Sequence, residues 1–159
     1  MQDFVHLHVH TQYSLLDGQA SVARLVDKAM QNGMKGIAVT DHGNMFGIKE
    51  FTNYVNKKNS GPKGEIKDLK KRLVGIEAGS IECEDKEAEV AACKAKIVEA
   101  ENKLFKPIIG CEMYVARRTM DLKEGKQDQS GYHLIVLAKN ETGYHNLVKL
   151  LTHALTSGY

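Results

Sequence analysis

The chain has 159 residues, with 22 Lys and Arg against 20 Asp and Glu, so its formal net charge is +2. This length suffices for one domain with a real core and is short for two. The nearly balanced charge excludes a global attraction to nucleic acid, so any contact with DNA must be local. An odd number of cysteines, an N-terminus unlike a signal peptide and the lack of a long apolar run favour a bacterial-type cytoplasmic protein with no membrane partner.

The first predicted element is a strand at residues 4–10, because polar and apolar residues alternate through His6-Leu7-His8-Val9-His10. This alternation puts three imidazoles on one face. Residues two apart on a strand are roughly 6.6 Å apart, which lets two imidazoles tilt onto one metal. His6 and His10 are roughly 13 Å apart by the same rise, too far to share a metal easily. The pair is therefore either His8 with His10 or His6 with His8.

The next segments predict alternating helices and strands. Ser21 is a candidate N-cap for a helix that Gly33 closes, and 36–40 is a short apolar run typical of a buried strand. A second helix follows, with its core candidates at Phe46, Phe51, Tyr54 and Val55. Strand, helix, strand and helix in this order indicate an α/β fold with parallel strands and helices outside.

Helical periodicity without obvious chemistry then interrupts this pattern. A breaker is predicted at Gly61-Pro62-Lys63-Gly64, and apolar residues recur at helical spacing on both sides of a second breaker, Gly79-Ser80. The first run is Ile66, Leu69, Leu73 and Ile76; the second is Cys83, Val90, Ile97 and Leu104, with Cys93 and Ala100 beside it. We expect a helical hairpin over residues 64–104, inserted within the α/β unit. The basic runs at 57–58 and 70–72 are expected to be solvated helix faces.

The α/β pattern resumes with a predicted strand at 106–116 and a polar loop at 117–131. A buried strand is then predicted at 132–138, and Asn140 is a candidate N-cap for a final helix. The apolar stripe of that helix is Leu147, Leu150, Leu151 and Leu155. His145 and His153 lie on the same helix, away from any strand end, and are expected to be surface or packing residues.

Residues of the type that bind metals fall near the ends of the predicted strands, where parallel α/β folds gather their functional groups. They are His8, His10, Asp17, His42, Glu112 and His133. Imidazole with carboxylate suits zinc, manganese or iron, and a carboxylate such as Glu112 can bridge two metals. Asp41 is expected to orient an imidazole, and Cys111 to be buried and inert. The predicted chemistry is hydrolysis of a phosphate ester by water that the metals activate.

Several motifs carry a family resemblance. They are His8-Val9-His10-Thr11, Ser14-Leu15-Leu16-Asp17-Gly18, Thr40-Asp41-His42-Gly43, Gly110-Cys111-Glu112 and His133-Leu134. These motifs resemble the first motifs of the PHP (polymerase and histidinol phosphatase) family. Two longer stretches, 4–11 and 137–144, further resemble the N-terminal PHP domains of bacterial replicative DNA polymerase alpha subunits.

The resemblance implies a (β/α)7 barrel with a trinuclear metal site, with ligands at the six positions given above. It implies that 1–159 is the N-terminal part of such a domain, a truncated barrel that lacks the family's later ligands and is inactive alone. In the full-length polymerase, the partners would be DNA and other replisome subunits. Two or three divalent ions, zinc or manganese with iron as a third option, would support 3′–5′ exonuclease proofreading or hold the domain that supports the polymerase. The alternative is a free-standing metal-dependent phosphatase similar to histidinol phosphatase.

Overall fold

The computed structural model describes residues 4–157, which form five α-helices and a three-stranded sheet. The chain up to Tyr54 and the chain from Lys106 onward form one compact unit, and Val55–Phe105 forms a second. The elements in chain order are α1 Val22–Gln31, β1 Gly36–Val39, α2 Ile48–Lys58, α3 Ser60–Glu77, α4 Lys86–Asn102, β2 Lys106–Val115, a 3-10 turn Gly125–Gln127, β3 Tyr132–Leu137 and α5 Glu141–Ser157. None of the helices in the described range is long and apolar enough to cross a membrane.

The predicted strand at residues 4–10 is wrong as a regular element. The described part of this segment runs beside β1 and is tied to it by Ala38 N–H to His6 O and Thr40 N–H to Val9 O, both 2.9 Å. Its own Val9 N–H, however, donates to the Thr40 side-chain hydroxyl at 2.9 Å, which breaks the ladder of backbone hydrogen bonds. The segment is therefore an extended edge of β1 with a bend at residues 7–8.

The strand direction corrects the prediction of an all-parallel sheet. β1 pairs with β2 in parallel, but β2 pairs with β3 antiparallel, with Glu112 opposite Ile135 and Tyr114 opposite His133. A parallel return needs a crossover connection, usually a helix, whereas residues 116–131 form a loop with a single 3-10 turn. The described residues thus form a mixed α/β sheet of order β1-β2-β3 and no closed barrel.

One hydrophobic cluster of the first unit joins β2 and α5. Cys111 packs with Leu147 and Leu151 of α5, which confirms two members of the predicted apolar stripe. Asn140 caps α5 as predicted, because its side-chain Oδ1 accepts from Gly143 N–H at 2.9 Å. The other two members of the stripe, Leu150 and Leu155, are exposed.

The burial predicted for β3 is wrong, because β3 is an edge strand that, among the described residues, pairs only with β2. Tyr132 and Leu134 are more than half exposed there. In the second helix, Phe51 and Val55 are buried as predicted. Phe46 precedes α2 and is 70% exposed, so its predicted core position is wrong.

The second unit contains α3 and α4, which pack on each other. The predicted breaker at 61–64 is wrong, because α3 already begins at Ser60. Pro62 lies in the first turn of α3, where its missing N–H has no helical partner to lose. The second breaker is confirmed, since α3 ends at Glu77 and Gly79 has a φ of +75°. The buried residues of α4 are Cys93, Ile97 and Ala100, all from the predicted seam.

Candidate metal centre

Glu112 lies at the centre of a cluster that brings together all six residues predicted to bind metals. Its side chain is only 3% exposed, and its Oε2 lies 2.7 Å from His8 Nε2 and 2.6 Å from His10 Nε2. Its Oε1 lies 2.6 Å from His133 Nδ1. The two oxygens of one buried carboxylate therefore face imidazoles on opposite sides.

Asp17 is the second carboxylate of the cluster. Its Oδ2 lies 2.5 Å from His10 Nδ1 and 2.7 Å from His42 Nε2. The other ring nitrogen of His10 faces Glu112 at 2.6 Å, and His42 Nδ1 lies 3.5 Å from Glu112 Oε2. His10 and His42 thus each direct one ring nitrogen toward Asp17 and the other toward Glu112.

The end of β1 places His42 beside Glu112. An isolated parallel bridge joins the two residues, with Gly43 N–H donating to Glu112 O at 2.8 Å and Glu112 N–H donating to Asp41 O at 3.0 Å. The sheet pairing of β1 with β2 therefore extends to the site by backbone hydrogen bonds. The alternation of β2 and its register with β3 then put Glu112 and His133 on the same face.

The Asp17 loop is folded tightly against the His10 segment. Gly18 lies so close to Thr11 that a Cβ at this position would sit 2.0 Å from the Thr11 carbonyl oxygen. Only glycine can take this position without moving the backbone. The close approach at Gly18 brings the neighbouring Asp17 within reach of His10.

Asp41 is linked to the segments that carry the imidazoles through Thr11 and Ser14. Its carboxylate is buried and accepts from Thr11 N–H at 2.6 Å, Thr11 Oγ1 at 2.8 Å and Ser14 Oγ at 2.8 Å. Ser14 Oγ in turn accepts from His42 N–H at 3.1 Å. Asp41 thus contacts the backbone next to His10 and, through Ser14, that of His42; its role in orienting an imidazole stays a prediction.

The imidazoles keep both carboxylates ionised. Burial alone would raise the pKa of Glu112, but hydrogen bonds to His8 and His10 and the charges of His42 and His8 together lower this pKa to about 2. Hydrogen bonds to His42 and then His10 also lower the pKa of Asp17. Both carboxylates are thus ionised near neutral pH, which is the form that binds cations. Beside it, burial raises the pKa of the Cys111 thiol to about 11, which agrees with the inert role expected for it.

The donor atoms form three overlapping sets, and in each set they lie within 4.8 Å of one another. The sets are His8 with His10 and Glu112, His10 with Asp17 and His42, and His42 with Glu112 and His133. Ligand atoms around a tetrahedral zinc at about 2.1 Å lie about 3.4 Å apart. His8 Nε2 and His10 Nε2 are 3.1 Å apart and lie 2.7 and 2.6 Å from Glu112 Oε2, so these donors would have to separate further to hold an ion. The residue types of these donors fit divalent transition metals.

Residues outside the cluster are as informative as those within it. In the described range, His6 belongs to none of the three sets, which leaves His8 with His10 as the pair that converges. His145 and His153 are exposed on α5, as predicted.

The sequence analysis missed Tyr114, whose hydroxyl lies 3.3 Å from His42 Nδ1. The alternation of β2, two residues after Glu112, was the signal that could have identified Tyr114.

A protein-family model matches most of the chain. The model described as "PHP domain" matches residues 6–159, so the chain belongs to the PHP domain family. Members of this family are metal-dependent, which agrees with the donor sets of the site.

Curated relatives share the name DNA polymerase III subunit alpha. The relative from Treponema pallidum is 39% identical over 156 residues, with 98% of this chain and 10% of the relative covered. The relative from Borreliella burgdorferi is 37% identical over 159 residues, with 98% and 10% covered. The relative from Aquifex aeolicus is 32% identical over 164 residues, with 99% and 10% covered. The chain thus spans about 10% of the length of these relatives.

Proposed function

We propose that this chain is the N-terminal PHP domain of a bacterial replicative DNA polymerase alpha subunit, active in DNA replication in the cytoplasm. Relatives of that name match 98% or more of the chain at 32–39% identity. DNA and other replisome subunits are then its partners, through the full-length polymerase. The three strands are proposed to belong to a PHP-type barrel, with the helical hairpin inserted into it.

We propose that the six clustered residues hold two or three divalent ions, zinc or manganese with iron as the third option. The observation that carries this proposal is the buried Glu112 carboxylate, whose two oxygens face different imidazoles. A carboxylate in this arrangement can bridge two metals. His8 and His10 lie on one side of it and His133 on the other.

The proposed reaction is hydrolysis of a phosphodiester, as in removal of a 3′-terminal nucleotide. Divalent ions held by these residues would supply chemistry that lowers the pKa of water and offsets the charge of a phosphate. Glu112 is buried and His10 is partly buried, with side chains 3% and 18% exposed, and they form the least accessible part of the site. His8, Asp17 and His133 are each about half exposed, so a phosphate reaches the site from their side.

The test uses the polypeptide encoded by the complete reading frame and compares two substrates, 3′-labelled DNA and a phosphomonoester. Glu112→Gln keeps the shape of the side chain and removes its charge, and Glu141→Gln on α5 is the matched control. We expect chelator-sensitive removal of nucleotides from 3′-labelled DNA with manganese or zinc, lowered at least about 100-fold by Glu112→Gln and unchanged by the control.

The alternatives give different results in the same assay. Hydrolysis of a phosphomonoester without activity on DNA favours the free-standing phosphatase. Metal binding without hydrolysis of either substrate contradicts the exonuclease and favours a site in which metals support the fold of the polymerase.

A further inference from the structure

Tyr114 contacts two imidazoles of the metal cluster. Its hydroxyl lies 3.3 Å from His42 Nδ1, and its ring stacks on the His42 ring with centroids 5.9 Å apart and an angle of 15° between the planes. Its ring also meets His133 edge-on, with centroids 4.9 Å apart at 89°. A tyrosine that is 56% exposed is therefore held in a defined position at the rim of the site.

The surrounding backbone leaves space for this ring. Gly43 has a φ of +58°, and a Cβ on it would lie 3.3 Å from Tyr114 Cε2. The strand register places His133 beside the Tyr114 ring, because the two residues are paired across β2 and β3. The contact between Tyr114 and His42 thus follows from the fold as well as from the side-chain rotamer.

The hydrogen bonds of His42 depend on which ring nitrogen carries the proton. In one neutral tautomer, Nε2–H donates to Asp17 Oδ2 at 2.7 Å and Nδ1 carries no proton. The ionised Glu112 cannot donate to a bare Nδ1, since a carboxylate only accepts, whereas the Tyr114 hydroxyl can. If Nε2 held a metal, the proton would sit on Nδ1, and the same hydroxyl could accept a hydrogen bond from Nδ1–H.

We propose that Tyr114 is a positioning residue for His42. Its hydroxyl donates a hydrogen bond to Nδ1 in one tautomer and accepts one from Nδ1–H in the other, so that Nε2 is the nitrogen that binds metal together with His10 and Asp17. The inference rests on the proposed function, in that the cluster must bind metal. A histidine that binds a metal normally donates its other ring N–H to a fixed partner, and losing that partner weakens metal binding about 10- to 100-fold. Tyr114 supplies this partner at 3.3 Å, closer than Glu112 Oε2 at 3.5 Å.

The experiment uses zinc as a diamagnetic probe and nitrogen NMR of the imidazole rings. Tyr114→Phe removes the hydroxyl and keeps the ring. Tyr132→Phe is the matched control, because Tyr132 is paired with Val115 and lies on the opposite face of the sheet. In the unaltered chain we expect the proton of His42 on Nε2 without zinc and on Nδ1 with zinc.

In Tyr114→Phe we expect zinc affinity to fall about 10-fold, with part of the zinc on His42 Nδ1, while Tyr132→Phe matches the unaltered chain. Zinc on His42 Nδ1 in the unaltered chain would overturn the inference without any variant. Unchanged affinity and tautomer in Tyr114→Phe would also overturn it, and would leave the proposed metal site intact. Failure of the unaltered chain to bind zinc would instead contradict the proposed function itself.

Discussion

In the first unit, the carboxylates of Asp41 and Glu112 are buried and each accepts several hydrogen bonds, whereas the charged side chains of Val55–Phe105 lie at the surface. Ion pairs of this second unit include Lys70 with Glu101 at 3.7 Å, Arg72 with Glu89 at 3.1 Å and Lys103 with Glu99 at 3.0 Å. Surface pairs of this kind contribute about 0–1 kcal/mol each.

The difference separates a unit organised around chemistry from one organised around helix packing. Burying a charge is costly unless hydrogen bonds compensate for it, so such an arrangement is rarely kept for packing alone. The second unit buries Cys93, Ile97 and Ala100 along α4, which needs no polar partner. Metal binding and hairpin stability should therefore respond to separate sets of mutations.

The largest expected effect is on metal content. His8→Ala with His10→Ala removes two imidazoles that face one oxygen of Glu112, so bound zinc or manganese should fall more than the ~10- to 100-fold that loss of an outer partner costs. Elemental analysis of the purified protein measures this. His145→Ala with His153→Ala removes two exposed imidazoles from α5 and should change nothing. Equal metal content in both double variants would contradict the site.

Asp41→Asn should give the next largest effect, on stability. The amide cannot accept all three hydrogen bonds from Thr11 and Ser14 in a site where Asp41 is 1% exposed, so unfolding free energy should fall by about 3 kcal/mol. Urea unfolding measures the loss. Asp68→Asn on the exposed face of α3 is the control and should cost less than about 0.5 kcal/mol. Similar losses of unfolding free energy in Asp41→Asn and Asp68→Asn would contradict the expected difference between the two units.

A smaller, local effect is expected in the loop that joins β2 to β3. Hydrogen bonds from Arg118 first, and from the Glu124 backbone second, lower the pKa of Asp128 below its ordinary value of 3.8. The stabilisation of the loop is therefore present above that value and is lost as pH falls through the lowered pKa. Protection factors for amide hydrogen exchange of residues 117–131, which compare each rate with the intrinsic rate at the same pH, should be high at pH 6 and lower in acid. Asp128→Asn should lower these protection factors already at pH 6, and protection factors that do not change with pH in the unaltered chain would contradict this account.

The smallest effect on the metal site should come from removing the hairpin. Asn59 and Phe105 close its base, since Asn59 Nδ2–H donates to Phe105 O at 2.8 Å and Phe105 N–H donates to Asn59 Oδ1 at 2.9 Å. A short Gly/Ser linker should therefore replace 60–104, rather than the 64–104 expected from sequence, and leave both residues in place. Zinc affinity should stay within about twofold, the change that ~0.5 kcal/mol produces. Loss of zinc binding or of cooperative thermal unfolding would show that the hairpin is not a separable insertion.

The sequence by itself determined the features that depend on local pattern or on side-chain chemistry. Helical periodicity located α1, α4 and α5, because the apolar face of a helix repeats along the chain itself. The residue types of His8, Asp17 and Glu112 selected the candidates that the structure brings together, and their role as ligands stays a prediction.

Only the tertiary structure decided features that depend on partners distant in the chain. The antiparallel pairing of β3 follows from a connection without a helix, and apolar spacing within β3 carries no information on direction. Asp41 takes its partners from residues 27 and 30 positions earlier, Ser14 and Thr11, so its spacing from His42 did not reveal these partners. The same holds for the contact of Tyr114 with His42, 72 positions apart, which exists because β1 and β2 pair side by side.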